Sequence, residues 1–206
     1  MQIIKRVSEE SSWQQVQELA NNKALHVGDQ ITDIIRGIPM TFEVAEVTDE
    51  EIMVISKYLW PERVQWNREW TTEGGFRKSN VCRFLNKEIY NMLPEELQEV
   101  INERKYKEDD EEYSLKLWFP SEREVFGDDA WLSDDEAGQQ LSYFKDPGNR
   151  VKCDAITGSR AYWWLSSAYS GNSTYACIVD DNGVANYIAT SYDLRVPICF
   201  CIAKQS

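Results

Sequence analysis

His26 is the only histidine in 206 residues, so a Ser-His-Asp triad would have to use it and a zinc site would need cysteine or carboxylate for most of its ligands. A surface or boundary histidine is the simpler expectation. The five cysteines, Cys82, Cys153, Cys177, Cys199 and Cys201, contain no CxxC pair. Cys199 and Cys201 share one face of an expected strand, a poor geometry for a disulfide, so buried free thiols are expected. The acidic group Asp128, Asp129, Asp134, Asp135 and Glu136 lacks the ligand spacing and central glycine of an EF-hand loop. No pair of acids stands at a defined separation that would mark a glycosidase. These residues imply no catalytic centre, no metal and no cofactor.

The sharper chemistry is that of recognition. Tyr169, Ser170, Asn172, Ser173, Tyr175, Asn182, Asn186, Tyr187, Thr190, Ser191 and Tyr192 crowd into the last forty or so positions. Tyrosine supplies contact area at little rotamer cost, while serine, asparagine and glycine adapt their hydrogen bonds. The competing reading is a set of solvated turns in a small β meander. Asn172-Ser173-Thr174 matches a glycosylation sequon, which places that loop at the surface. Of the eight tryptophans, Trp13, Trp118, Trp163 and Trp164 fall in expected elements. Adjacent strand residues face opposite ways, so one of Trp163 and Trp164 belongs to the core. The other, with Trp60, Trp66 and Trp70, lines a binding surface or covers the sheet's second face, and packing is favoured.

The elements that must position these residues read as follows. Ser12 and Gln15 form a capping box for a helix over Trp13 to Asn21. Strands are expected at Gln30 to Ile35, Met40 to Val47 and Glu51 to Lys57, as an antiparallel meander. A helix follows Ser79, burying Cys82, Leu85 and Ile89, and Pro94 opens another that turns Leu97, Val100 and Ile101 inward. The charged run Lys107 to Glu112 reads as a solvated loop, the segment most prone to move through like-charge repulsion. Leu115 to Phe119 reads as a short strand. Ser121 with Glu124, and Ser133 with Glu136, are two more capping boxes, the second opening a helix to about Phe144. Four alternating segments close the chain: Ala161 to Ser167, Tyr175 to Asp180, Val184 to Ala189 and Leu194 to Ala203. The second and third form a hairpin around Asp181-Asn182-Gly183, with the fourth in the same sheet. Helices on antiparallel sheets define an α+β fold, read here as one domain over residues 1–206.

A net charge of −13 argues against nucleic acid and against anionic membrane surfaces, since both need clustered Lys and Arg. The N-terminus lacks the apolar run of a secretory signal, and no later run is long enough to span a bilayer, so the sequence implies a soluble protein made in a cytosol. It sets no oligomeric state.

Trp13 to Ala20, Val27-Gly28-Asp29, Gly74-Gly75-Phe76 with Ser79 and Arg83-Phe84-Leu85-Asn86, Leu117-Trp118-Phe119-Pro120-Ser121-Glu122, Glu124-Val125-Phe126-Gly127, Trp163-Trp164-Leu165-Ser166-Ser167 and Leu194-Arg195-Val196-Pro197 occur in that order. Together they resemble a bacterial and phage domain of unknown function with a C-type-lectin-like fold. Asp193-Leu194 replaces the Gly-Val of that family's last strand, and Ser166 stands where it often has arginine. The resemblance implies kinship with formylglycine-generating sulfatase activators, animal-type lectins and the variable proteins of diversity-generating retroelements. Fold alone does not choose among these. Neither the Glu-Pro-Asn nor the Trp-Asn-Asp triplet of calcium-dependent lectins is present. An oxidase of the formylglycine-generating type would have to use Cys199 and Cys201, inside an apolar strand where thiolate formation is disfavoured. The reading is therefore a non-catalytic module that binds a protein or glycan through Tyr169, Ser170, Asn172, Ser173, Tyr175, Asn186, Tyr187 and Tyr192. It is associated with phage or a mobile element, and virion attachment is a second compartment. The alternatives are the oxidase and a structural subunit whose loops mediate assembly.

Overall fold

The computed structural model describes residues 12–108, 111–133 and 138–204. Helix α1 (Trp13–Asn21) begins at its capping box: the Gln15 N–H donates to Ser12 Oγ at 3.4 Å and the Ser12 N–H to Gln15 Oε1 at 3.1 Å. Strands β1 (Gln30–Ile35), β2 (Ile38–Val47) and β3 (Glu51–Ser56) form the meander. Arg36 and Gly37, both at positive φ (52° and 81°), make the two-residue turn from β1 to β2, whose handedness suits the strand twist.

Short elements follow: β4 (Tyr58–Leu59), β5 (Val64–Gln65), α2 (Gly75–Lys78) and α3 (Asn80–Arg83). Ser79 caps α3 by accepting from the Cys82 N–H at 3.0 Å. The helix continues as a π-helical stretch over Phe84–Ile89, and α4 (Glu95–Val100) begins after Pro94. Cys82, Leu85, Ile89, Leu97 and Val100 are buried, as their spacing requires. Beyond them lie β6 (Ile101–Asn102), β7 (Arg104–Glu108), β8 (Glu111–Leu115), α5 (Glu122–Phe126), β9 (Cys153–Asp154), β10 (Trp163–Ala168), β11 (Tyr175–Val179), β12 (Ala185–Ala189), β13 (Asp193–Leu194) and β14 (Cys199–Ala203). The chain is α+β, mostly antiparallel sheet with a few helices.

Two sheets carry the architecture. One is five-stranded in the order β1-β2-β3-β14-β6, and the other is three-stranded, β10-β11-β12. The β11–β12 hairpin is as expected, with Cys177 opposite Tyr187. The last segment departs from expectation: β14 joins the first sheet between β3 and β6, not the sheet of β11 and β12. Pro197 explains the departure. It has no N–H to give a ladder, so Leu194 to Ala203 cannot run as one interior strand. The segment breaks there, its first part pairing with β5 and its second with β3.

Three further expectations are corrected. Lys107 to Glu112, expected as a loop, is strand where it is described: Lys107 and Glu108 end β7, Glu111 and Glu112 begin β8, and residues 109 and 110 lie outside the described residues. Tyr106 stacks on Tyr113 at 5.2 Å across the two strands, and this cross-strand pair outweighs the charge pattern. Leu115 to Phe119 is not one strand, since Leu115 ends β8 and Trp118 makes a single bridge to Cys199. Of the helix expected from Ser133 to Phe144, residues 138–141 are not helical and Ser142–Lys145 is a 3₁₀ turn; Glu136 lies outside the described residues. The Ser133 hydroxyl donates instead to Glu122 at 2.7 Å, so its capping role is taken.

The core joins both sheets. Trp13, Phe42 and Phe200 meet edge to face at 5.3–5.9 Å, locking α1 onto β2 and β14. Both Trp163 and Trp164 are fully buried, so the second ring of the pair packs, as favoured, and lines no surface. Each indole N–H finds a carbonyl, Arg150 O at 3.0 Å and Val64 O at 2.8 Å, and Trp66 donates likewise to Leu165 O at 3.1 Å. Phe42→Ala should cost about 3–5 kcal/mol, because it opens a cavity under α1 that the two remaining rings cannot fill. Urea unfolding checks this, and a loss below about 1 kcal/mol would show that the three-ring contact does not hold α1.

Candidate functional site

The loops at the β10–β11 end of the smaller sheet gather most of the expected recognition residues. Tyr169 lies flat on Tyr187, ring centroids 4.0 Å apart and 2° from parallel, and Tyr175 meets Tyr187 edge-on at 5.7 Å. Desolvation under the stacked ring, with the neighbouring Tyr187 hydroxyl, raises the Tyr169 hydroxyl above its ordinary range, so it stays a neutral donor. Gly171 makes the stack possible. A Cβ built there would lie 2.6 Å from Tyr169 Oη and Cζ.

The loop is ordered by its own bonds. Asn172 Oδ1 accepts from the Thr174 N–H and hydroxyl at 2.9 and 2.8 Å, and Asn186 Oδ1 from the Tyr187 N–H at 2.8 Å. Asn172, Ser173, Thr174, Asn186 and Tyr192 are exposed. Thr190 is not. It is fully buried, and its carbonyl accepts from the Asn67 N–H.

Two exposed tryptophans belong to neighbouring loops that are hydrogen-bonded to this one. Trp70, 68% exposed and at φ 54°, sits in a loop where the Thr72 N–H and hydroxyl donate to Ser173 O at 2.7 and 3.1 Å. Trp131, 66% exposed, precedes Leu132, whose carbonyl accepts from both the N–H and the hydroxyl of Ser170 at 2.9 Å. The anchor of that second loop is Glu122 on α5. Its fully buried carboxylate accepts from the N–H groups of Trp131, Leu132 and Ser133 and from the Ser133 hydroxyl, at 2.7–3.1 Å. A buried carboxylate needs such bonds to be tolerated, and here they fix the backbone that bears an exposed indole. Sequence reasoning did not assign Trp131 or Glu122 to the site, because only the long-range bonds from residue 122 to 131–133 and from 132 to 170 place them beside Tyr169. Trp60 and Trp66, in contrast, are core residues.

The other candidates lie elsewhere. His26 is exposed, 3.7 Å from Asp29. Asp128 is paired with Arg123 at 2.8 Å, while Asp134, Asp135 and Glu136 lie outside the described residues. The five cysteines are free. Burial pushes the Cys82 thiol up to about 11 and the Cys199 and Cys201 thiols well above their usual range, so none of the three is a ready nucleophile. No helix among the described residues is long and apolar enough to cross a membrane.

A lysine sits in the interior. Lys152 is fully buried, donates to Ser56 O at 2.7 Å and lies 5.3 Å from the Tyr143 ring. Burial lowers its ammonium to about 8, against the opposing pull of Cys199 and Glu43 and with Lys57 adding to the depression. Glu43 accepts from the Tyr143 hydroxyl and from Gln30 Nε2 and pairs with Lys57 at 3.6 Å. The cluster ties β2, β3 and the 3₁₀ turn at Ser142–Lys145 together beneath the first sheet.

An antiparallel α+β scaffold carrying an aromatic, polar loop face is the class of protein these features define. The family described as Domain of unknown function (DUF6273) matches residues 49–204, from the turn before β3 to the residue after β14, and the chain belongs to it. No curated protein and no solved structure matches the chain.

Two outcomes are expected. Gly171→Ala should drive the Tyr169 ring off Tyr187, removing the ring-current shift of Tyr187 in an NMR spectrum at a stability cost of only about 0.5–1.5 kcal/mol. Retention of that shift would show the stack does not depend on the missing Cβ. For Lys152, the unfolded chain holds the proton up to about 10.4 and the folded chain releases it near 8, so folding excludes a proton between these values. The penalty is present in full below pH 8 and fades as pH rises. Measured against Lys152→Met, wild-type stability should therefore gain about 2–3 kcal/mol between pH 7 and pH 10.5. A pH-independent difference would show that the ammonium is not desolvated.

Proposed function

We propose that the chain is a non-catalytic ligand-recognition module, displaying its C-terminal loops on a C-type-lectin-like scaffold and binding a protein or glycan surface. The single observation that carries this reading is the Tyr169–Tyr187 stack with Tyr175 at its edge, on a loop to which the loops of two exposed tryptophans are each hydrogen-bonded. Tyr169 packs partly on the core and presents a stacked Tyr187 to solvent, where Trp70 and Trp131 are also exposed, and fixed aromatic anchors are what carries binding energy at interfaces. The same rings suit the apolar face of a sugar.

The scaffold reading draws on connectivity. Within the family match, the first strand β3 and the last strand β14 pair antiparallel, and the small sheet β10-β11-β12 is inserted between them in sequence. A closed loop of that kind, with a second sheet carrying long connections, is the arrangement a C-type-lectin-like domain would have. Association with phage or a mobile element, and attachment to a virion, belong to the same proposal.

The test is a glycan array and a display screen against surface proteins with the whole chain, followed by truncation. Tyr187→Ala, Tyr192→Ala and Trp70→Ala should each weaken the captured ligand by about 1–3 kcal/mol while urea midpoints stay close to wild type. Contacts mapped to the β7–β8 hairpin or to α1, with normal binding by all three variants, would reject the site.

A further inference from the structure

The opposite end of the smaller sheet, at the β11–β12 turn, holds a cleft of about 400 Å³. Its floor is the turn Asp154 to Arg160, closed by the Gly158 N–H to Asp154 O bond at 3.0 Å and the Asp154 N–H to Ser159 O bond at 2.9 Å, with Gly158 at φ 68°. Asp154 is nearly fully buried, and Arg195 from the segment after β13 meets its Oδ2 at 2.5 Å. Asp154 Oδ1 accepts from the N–H groups of Ile156 and Thr157 at 3.0 and 2.6 Å. Burial alone would raise this carboxyl, yet those N–H groups and Arg195 hold it below its ordinary value, so it remains a charged post for Arg195.

Two more arginines line the cleft. Arg63, between β4 and β5, and Arg160, at the end of the turn, are exposed and make no side-chain hydrogen bond or ion pair among the described residues. The chain as a whole carries a net charge of −13, yet here two guanidiniums without an ion pair among the described residues face the same space. The lining sets three guanidiniums, Arg63, Arg160 and Arg195, against two carboxylates, Asp154 and Asp181. Asp154 is already matched by Arg195, and Asp181 accepts from Asn182 Nδ2 at 3.1 Å. The hydroxyls of Thr157 and Ser159 add small donors, and Tyr162, 42% exposed, gives an apolar wall beside Leu194.

We propose that this cleft is a second ligand site, taking an oxyanion, a carboxylate or a sulfate or phosphate ester, between Arg63 and Arg160, with Tyr162 against the rest of the ligand. Planar guanidinium forks match such groups in geometry as well as charge. The site is independent of the tyrosine face: it lies at the other end of the sheet and its occupancy does not require the loops at 169–175.

The experiment is an NMR titration of the whole labelled chain with sodium sulfate, sodium phosphate and sodium glucuronate, each against sodium chloride at equal ionic strength. Saturable shifts are expected at the amides of Thr157, Ser159, Arg160 and Asp181, with those around Tyr169 unmoved. Tighter binding of glucuronate would name a carboxylate as the natural group, and tighter binding of sulfate or phosphate an ester; either order supports the site. Arg63→Gln and Arg160→Gln, both exposed and remote from the core, should each weaken binding roughly tenfold, as loss of a charge-assisted hydrogen bond does. Shifts that match chloride, that spread over the surface, or that survive unchanged in the double variant would overturn the assignment.

Discussion

From Val196 to Ile202 every residue is buried, so each main-chain N–H and C=O along this stretch must find a partner inside the protein. The partners come from several elements in turn. The Trp60 N–H donates to Val196 O, the Ser56 N–H donates to Ile198 O, and the Ile198 N–H donates to Ser56 Oγ at 2.9 Å. Cys199 exchanges both its bonds with Trp118, and the strand then pairs with β3 on one edge and β6 on the other. One residue earlier, Arg195 O accepts from the Trp164 N–H, which ties in β10. A single segment thus fixes the larger sheet, the first strand of the smaller one and, through Arg195 and Asp154, the floor of the basic cleft. Any change that displaced it would move the loop face with it.

Local signals in the sequence were legible where the bonds that realise them are local. The capping boxes at Ser12 and Ser121 each join residues three apart, and both are formed. The β11–β12 hairpin likewise forms around Asp181-Asn182-Gly183, its turn closed by Asp180 Oδ1 accepting from the N–H groups of Asn182 and Val184 at 2.9 Å. Ser133 with Glu136 has the same pattern, but a distant carboxylate, Glu122, claims the serine first. Alternation told that Leu194 to Ala203 was extended, yet alternation is the same whichever sheet a strand joins. The choice fell to Pro197 and to partners near residues 55, 60 and 64, which no local window contains. The tyrosines of the loop face were legible from composition, whereas Trp131 reached it only through two long-range steps.

Buried polar groups appear where loops must be held still. Glu122 fixes residues 131–133, Asp154 fixes the turn at 156–159, and Lys152 binds Ser56 O beneath the closing strand. None of the three is a strong source of stability, since desolvation offsets much of what the bonds supply. What they contribute is a defined position. A recognition loop that is already ordered loses less conformational entropy on binding, so more of the contact energy appears as affinity. That argument applies to both ends of the smaller sheet, the aromatic face and the cleft.

The loop face also separates what must be kept from what is free to change. Its connections to the scaffold run through main-chain carbonyls: Leu132 O to Ser170, Ser173 O to Thr72, Thr174 O to the Thr190 N–H, Thr190 O to Asn67. Such bonds do not depend on which side chain the carbonyl residue bears, so Ser173, like the exposed Tyr192, can vary without unmaking the loop, whereas the side chains of Thr174 and Asn186 also take part in its internal bonds. Gly171 cannot, because a Cβ there meets the Tyr169 ring, and Thr190 cannot vary freely, because its side chain is buried. A surface whose backbone is fixed by the scaffold and whose exposed side chains are partly free is suited to acquiring new partners while keeping one fold, and that division of labour accords with the proposal that recognition lies at this end of the molecule.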